Sequence, residues 1–205
     1  MAASSPRLYF AYGSNLSPTQ MALRCPSSVP VGLAHLAGYT FIINSRGYAN
    51  VVRDAPEPPT DPAGPGVYGV LYTLSPADEA TLDKCEGVPY AYQKHDLHVK
   101  LVPSSSSSSA AAAAAAPPAS SPGCDDAHAV ATALVYVDGE RTAPSSPRAE
   151  YVGRMNRGLG EAAELFGLPA AYVDRVIRPY IPAPEAPIVG PTTAIADPFL
   201  ACLRR

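Results

Sequence analysis

LYFAYGSNL, residues Leu8 to Leu16, is the stretch from which the rest of the chain can be read. Leu8-Tyr-Phe-Ala-Tyr12 is a short apolar run, long enough for a buried strand and too short for a buried helix. Gly13, Ser14 and Asn15 follow, residue types that tolerate tight turns. Ser17-Pro18-Thr19-Gln20 then supplies a capping hydroxyl, a proline at the first helical position and a glutamine at the third. That pattern predicts a short helix to about Arg24. A strand turning this sharply into a helix can aim successive backbone N–H groups at one point, which suits an anion. No GK[ST] follows and no GxGxxG occurs, so the turn is not a nucleotide phosphate loop. By itself a Gly-Ser-Asn turn is only a turn.

Downstream, Val31 to Asn44 and Asn50 to Arg53 read as strands joined by the turn Ser45-Arg-Gly-Tyr48. Val67 to Leu74 reads as another strand. Ser75-Pro76-Ala-Asp78 caps a helix that runs to Cys85-Glu86, with Gly87 placed to end it. Tyr92 to Val102 is a strand with Leu97, Val99 and Leu101 on one face, and Ala129 to Val137 is a β-branched strand. Ser146-Pro147 is expected to open the longest helix, with Tyr151, Met155, Leu159, Ala162 and Phe166 at helical spacing and Gly167 at its end. Pro169 starts one more helix to about Ile177. Strands outnumber helices without alternating with them. The expected fold is therefore α+β, a mixed sheet or small barrel with helices packed outside, rather than a doubly wound parallel sheet.

The 205 residues form one expected domain over 7–180, carrying two kinds of decoration. Residues 103–126 are a Ser/Ala-rich insertion with no aliphatic side chain larger than Ala, which cannot offset its ordering entropy by burial. Residues 55–66 hold five prolines and read as a surface loop. Residues 181–205 read as a proline-rich tail lying extended over the surface. With 15 Lys+Arg against 18 Asp+Glu, the formal charge of −3 argues against nucleic acid or an anionic membrane as partner. No apolar run is long enough for a membrane span, and the start lacks a secretory signal, so a cytoplasmic protein is expected. Cys25, Cys85, Cys124 and Cys202 are far apart and form no CxxC or Cys/His cluster. Free thiols and no metal site are expected.

Two further features bear on chemistry. Glu86 closes a helix, where the negative end of the dipole disfavours a carboxylate. Partial burial there would raise its proton affinity toward the range of a general acid/base. The alternative reading is an exposed glutamate with no role. The chain also holds 12 Tyr, 4 Phe and no Trp. Such an excess suits a cavity that is apolar in body and hydrogen-bonding at its edges, and suits ordinary partial burial equally well. His95 and His98, three apart on a strand, face opposite sides and read as surface residues. Cys85 reads as a packed helix cysteine.

YFAYGSNL followed by a capped helix ending in CEGV resembles the γ-glutamylcyclotransferase family. Asn50-Val-Val, Ala133-Leu-Val-Tyr136 and PRAEYVGRMNRGLGEAAELFGLPAAY (Pro147 to Tyr172) extend the likeness over roughly residues 7 to 180. The wording around Arg154-Met-Asn-Arg157 is similar to filamentous-fungal members. The glutathione-directed branch typically reads YGSL and the γ-glutamylamine branch YGTL, whereas this chain reads YGSN. The resemblance implies that a substrate's α-amine attacks its own γ-carbonyl, releasing 5-oxoproline and an amino acid or amine. It implies Glu86 as the catalytic acid/base and no cofactor. It implies substrate contact at Tyr12, Gly13, Ser14, Asn15 and Leu16, and at Tyr92 (or Tyr90, should the register shift), Tyr136 and Tyr151. A small γ-glutamyl molecule would be the partner, and the protein a monomer or homodimer. One alternative shares every motif: removal of the γ-glutamyl group from glutathione-derived adducts in secondary metabolism. A further alternative, a non-catalytic binding relative, is opposed by the presence of both YGSN and the glutamate, since a binding module has no use for a poised carboxylic acid.

Overall fold

The computed structural model describes residues 6–54, 66–103 and 129–184, together with Pro198. The proline-rich loop, the Ser/Ala insertion and most of the C-terminal tail lie outside the described residues. Five strands close into a barrel in the order β1 (Arg7–Ala11), β5 (Gly66–Leu74), β2 (Val29–Ala37), β6 (Gln93–Leu101), β7 (Val130–Val137). Neighbours run antiparallel except at the seam, where β1 meets β7 in parallel at Tyr9 and Leu134. β3 (Tyr39–Ile43) and β4 (Ala49–Arg53) form a separate two-stranded sheet. The α+β expectation, a small barrel with helices outside, matches this architecture.

The run from Leu8 folds as a strand because its residues can be covered on both faces. Tyr9, Phe10 and Ala11 are all buried, as a near-continuous apolar strand requires. β1 lies so close to β5 that a β-carbon at Gly69 would sit 2.6 Å from both the Ala11 carbonyl oxygen and the Phe10 ring. Only glycine admits that approach. Beyond β1 the chain makes a 3₁₀ turn at Ser14–Leu16 and enters α1 (Pro18–Arg24). Ser17 caps α1 as expected, its hydroxyl accepting from the Gln20 N–H at 3.0 Å. The Gln20 side chain does not complete the capping box; it reaches into the preceding turn instead.

Three expectations need correction. Residues 31–44 are not one strand, because Gly38 at φ +75° breaks them into β2 and β3, which belong to different sheets. A positive φ of this kind is available to glycine at little cost. The longest helix, α3 (Ala149–Phe166), starts after Ser146-Pro147, with Arg148 as its N-cap. The preceding segment is held instead by the β3–β4 turn: Ser145 N–H donates to the Ile43 carbonyl and Arg148 N–H to that of Gly47. Finally, the chain after Pro179 does not pass straight out over the surface. Ile181 is fully buried, and Asn156 Nδ2 donates to the Pro182 carbonyl at 2.9 Å.

α2 (Pro76–Glu86) is capped by Ser75 and ends at Gly87 in the left-handed conformation. α4 (Ala170–Tyr172) runs on into a wider π turn, Val173–Ile177. One core joins barrel and helices, with Phe10, Tyr72, Leu134 and Met155 among its fully buried members.

Candidate active site

A cleft with an empty volume of about 510 Å³ opens beside the turn after β1. The turn, the end of α2, the residue before β6, β7, the β3–β4 turn and the start of α3 all converge on it. Of the residues marked in the sequence, Tyr12, Gly13, Ser14, Asn15, Glu86, Tyr92, Tyr136 and Tyr151 line it. Leu16 does not. Its side chain is buried in the core, tight against Gly158 of α3. Tyr90 is 85% exposed, so the register choice falls on Tyr92.

Glu86, the last residue of α2, is partly buried and accepts at Oε1 from Asn15 Nδ2 at 3.2 Å. Arg24 Nη1 stands 3.4 Å from the same oxygen. The guanidinium and the amide both stabilise a carboxylate, opposing the burial and helix-end effects visible in the sequence. Asn15 is itself pinned. Its Nδ2 also donates to the Tyr9 hydroxyl at 2.9 Å, and its Oδ1 accepts from Gln20 Nε2 at 2.8 Å and from Arg24 at 3.3 Å. The α1 glutamine and arginine, four residues apart, therefore share the face that backs the turn.

Of the backbone N–H groups expected to form the cradle, that of Ser14 already has a partner, as do the two N–H groups that follow the turn. Leu16 N–H donates to the Gly13 carbonyl and Ser17 N–H to that of Ser14. Ser14 N–H donates to the Tyr151 hydroxyl at 3.2 Å. Ser14 Oγ accepts from Gln20 Nε2 at 2.8 Å and from Arg154 Nη1 at 3.1 Å.

The phenols form the walls, and most of their hydroxyls are already engaged. Tyr12 donates to the Tyr136 carbonyl at 2.6 Å and Tyr92 to that of Ala49 at 2.7 Å. Tyr136 donates to Asp83 Oδ1 at 2.7 Å, so Asp83 holds a cleft residue rather than standing idle beside Glu86. Burial, reinforced by the charge of Glu86, pushes Tyr9, Tyr12 and Tyr92 well above the ordinary phenol value. Tyr151 is pushed up to about 12 by burial, with Arg154 working against the rise. Tyr136 is raised by burial and by its bond to Asp83. Hydroxyls, not phenolates, therefore face the cleft.

The sequence reading missed Tyr9, Arg24, Arg46, Tyr48, Ala49, Cys85 and Arg154, all of which line the same cleft. Arg154 carried a signal, as a charge beside the apolar stripe of α3. It is 5% exposed, pairs with Glu150 at 3.1 Å and lies over the Tyr151 ring. Arg46 and Tyr48 gave none, since they come from a turn. His95 and His98 are exposed on β6. No group of three or more His, Cys, Asp or Glu among the described residues is placed to hold a metal ion. No helix among them is long and apolar enough to cross a membrane.

A profile for γ-glutamyl cyclotransferases, AIG2-like, matches residues 9–140. The chain belongs to this family. The match spans the turn, Glu86 and the barrel but stops before α3, which supplies Tyr151 and Arg154. The fold is similar to that of a structure named γ-glutamyl cyclotransferase, at a TM-score of 0.62 and 20% identity over 95% of this chain and 98% of that one. It is equally similar to an uncharacterized protein from Homo sapiens, at 0.62 and 18% over 98% and 100%. YkqA from Bacillus subtilis matches at 0.59 and 22%, over 89% of this chain and 57% of its own. Such identities speak for the fold. No curated protein matches the sequence.

Proposed function

We propose that the protein is a γ-glutamyl cyclotransferase in which Glu86 moves the proton. The observation that carries this reading is a single carboxylate at the end of α2, held at Oε1 by Asn15 and Arg24, in a tyrosine-walled cleft of a chain from this family. The α-amine of a bound γ-glutamyl group attacks its own γ-carbonyl carbon. Glu86 takes a proton from that amine as the C–N bond forms, and returns it to the departing nitrogen as the old amide bond breaks. The products are 5-oxoproline and an amino acid or amine. Because attack is intramolecular, holding the chain curled supplies much of the rate. Neutral tyrosine hydroxyls suit the walls, since phenolates would repel the substrate carboxylate.

The test is release of 5-oxoproline from γ-glutamyl dipeptides, glutathione and γ-glutamylamines. Glu86→Gln keeps the shape and most hydrogen bonding but removes proton transfer. Turnover is expected to fall by about 10²- to 10⁴-fold with substrate binding retained. Near-normal turnover in that variant would overturn the mechanism, and an equal loss of binding would make Glu86 a substrate ligand.

A further inference from the structure

Resting on the cyclotransferase reading, we propose that Arg46 selects substrates whose leaving group carries a free carboxylate, and that it binds that carboxylate through its Nη1 edge. Arg46 sits in the β3–β4 turn, which neither the catalytic carboxylate nor the Gly13–Asn15 turn explains. That turn is built to be rigid. The fully buried Asn44 accepts at Oδ1 from the N–H groups of Arg46 and Tyr48, at 3.1 and 3.4 Å. Asn44 in turn gives its Nδ2 to Asp138 at 2.9 Å. The Arg46 carbonyl accepts from Arg148 Nε at 2.9 Å.

From this fixed backbone the guanidinium lies 5.2 Å from the Tyr92 ring centre and 5.7 Å from that of Tyr48. Stacking of this kind holds the plane and leaves the edge free for a bidentate acceptor. Nη1 is buried and has no hydrogen-bond partner among the described residues. A dry N–H without an acceptor is costly, and such groups commonly serve a ligand.

Charge and depth indicate which ligand group it meets. The other two cleft guanidiniums are matched, Arg24 by Glu86 and Arg154 by Glu150, which leaves Arg46 as the unmatched charge among the described cleft residues. A γ-glutamyl amino acid, with two carboxylates and one ammonium, brings net charge −1. A γ-glutamyl amine brings none. Asn15, Arg24 and Tyr9 are each 4% exposed and form the floor around Glu86, where ring closure occurs. Arg46 is half-buried and follows the exposed Ser45, so it stands at the rim. The departing half of the substrate extends toward it.

The experiment compares kcat/KM for 5-oxoproline release from γ-glutamylalanine and γ-glutamylethylamine, which differ in the leaving-group carboxylate. The wild type is expected to prefer the alanine compound by about 10- to 100-fold, the range of one charge-assisted hydrogen-bonded pair. Arg46→Gln should bring that ratio near one by lowering the alanine compound alone. Arg46→Lys, keeping the charge without the planar fork, should leave a ratio between the two, and decides the matter should the glutamine variant not fold. An equal loss on both substrates, or an unchanged ratio, overturns the inference. Wild-type turnover of both at equal efficiency sinks this inference and leaves the cyclotransferase reading standing. Release from neither ends both.

Discussion

At Gly13 the main chain passes close to α3, so that a β-carbon there would lie 2.8 Å from the Tyr151 hydroxyl and 3.2 Å from the Ala49 β-carbon. The backbone has φ −103°, which is not the left-handed region. The glycine is required for space, and not for the left-handed conformation that a Gly-Ser-Asn turn suggests. Ser14 has a different job, because its Oγ accepts from two buried donors, Gln20 and Arg154. The two positions should therefore fail in different ways. Gly13→Val is expected to displace Tyr151 and lower kcat/KM for 5-oxoproline release sharply. Ser14→Ala is expected to cost roughly 1–3 kcal/mol of stability, by leaving buried donors unmet, with a smaller effect on turnover. Kinetics beside thermal melts of both variants separate these outcomes; equal activity would mean that the close approach has no part in catalysis.

Among the elements, α3 shows how one helix serves packing and site together. Its buried face carries Tyr151, Arg154, Met155 and Gly158. A β-carbon at Gly158 would meet Leu16 Cβ at 3.1 Å, Ser17 N at 3.3 Å and the Ser14 carbonyl at 3.4 Å, while one at the exposed Gly153 would meet nothing within 4 Å. Alanine in place of glycine ordinarily favours a helix by about 1 kcal/mol. Gly153→Ala should realise most of that gain as a higher Tm. Gly158→Ala should not, because it pushes α3 away from the turn that holds Asn15, and it should lower activity as well. A matched rise in Tm for both variants, with activity intact, would show that the helix–turn contact has slack. β3–β4 is the other instructive element. The two-stranded ribbon buries Phe41, Ile43 and Val51 in the common core, and its turn delivers Arg46 and Tyr48 to the cleft.

For the whole molecule, the buried phenols make stability depend on alkali. Tyr9, Tyr12, Tyr92, Tyr136 and Tyr151 all hold their protons above the ordinary phenol value in the folded state. An unfolded chain would lose those protons near pH ~10. Their contribution is therefore complete below about pH 10 and is lost as pH rises through the folded values, at about 1.4 kcal/mol per pH unit for each phenol. Melting temperature should hold steady up to that pH and then drop steeply. Phenolate absorbance should show a late component, belonging to these residues, that rises together with loss of circular dichroism; its absence would contradict the buried assignment. A second expectation concerns the β6–β7 connection. Lys100 pairs with Val130, and Leu101 N–H donates to the Ala129 carbonyl at 2.9 Å, so the two ends of the intervening segment lie side by side. Replacing residues 104–128 with a short polar turn should leave Tm and turnover unchanged, since loop-closure entropy grows slowly with length. Loss of either would show that the segment packs on the domain.

The sequence alone determined what depends on neighbours along the chain: β1 from its apolar run, α1 and α2 from their capping serines, the ends of α2 and α3 from Gly87 and Gly167. It also marked Glu86 and the Gly13–Asn15 turn, because a helix end and a strand-to-helix turn are local features. What lay beyond it was set by contacts between residues distant in sequence. Nothing near Gly38 says that β2 and β3 part into different sheets, nor does the capping signal at Ser146 outweigh the hydrogen bonds that Ser145 and Arg148 donate to the Ile43 and Gly47 carbonyls. The cations of the cleft were hidden for the same reason. Arg24, Arg46 and Arg154 come from a helix end, a turn and a helix face, and only the folded chain brings them to one cleft. Local patterns report local energies. The charge balance of a cavity is a sum over segments that meet only when the chain is folded.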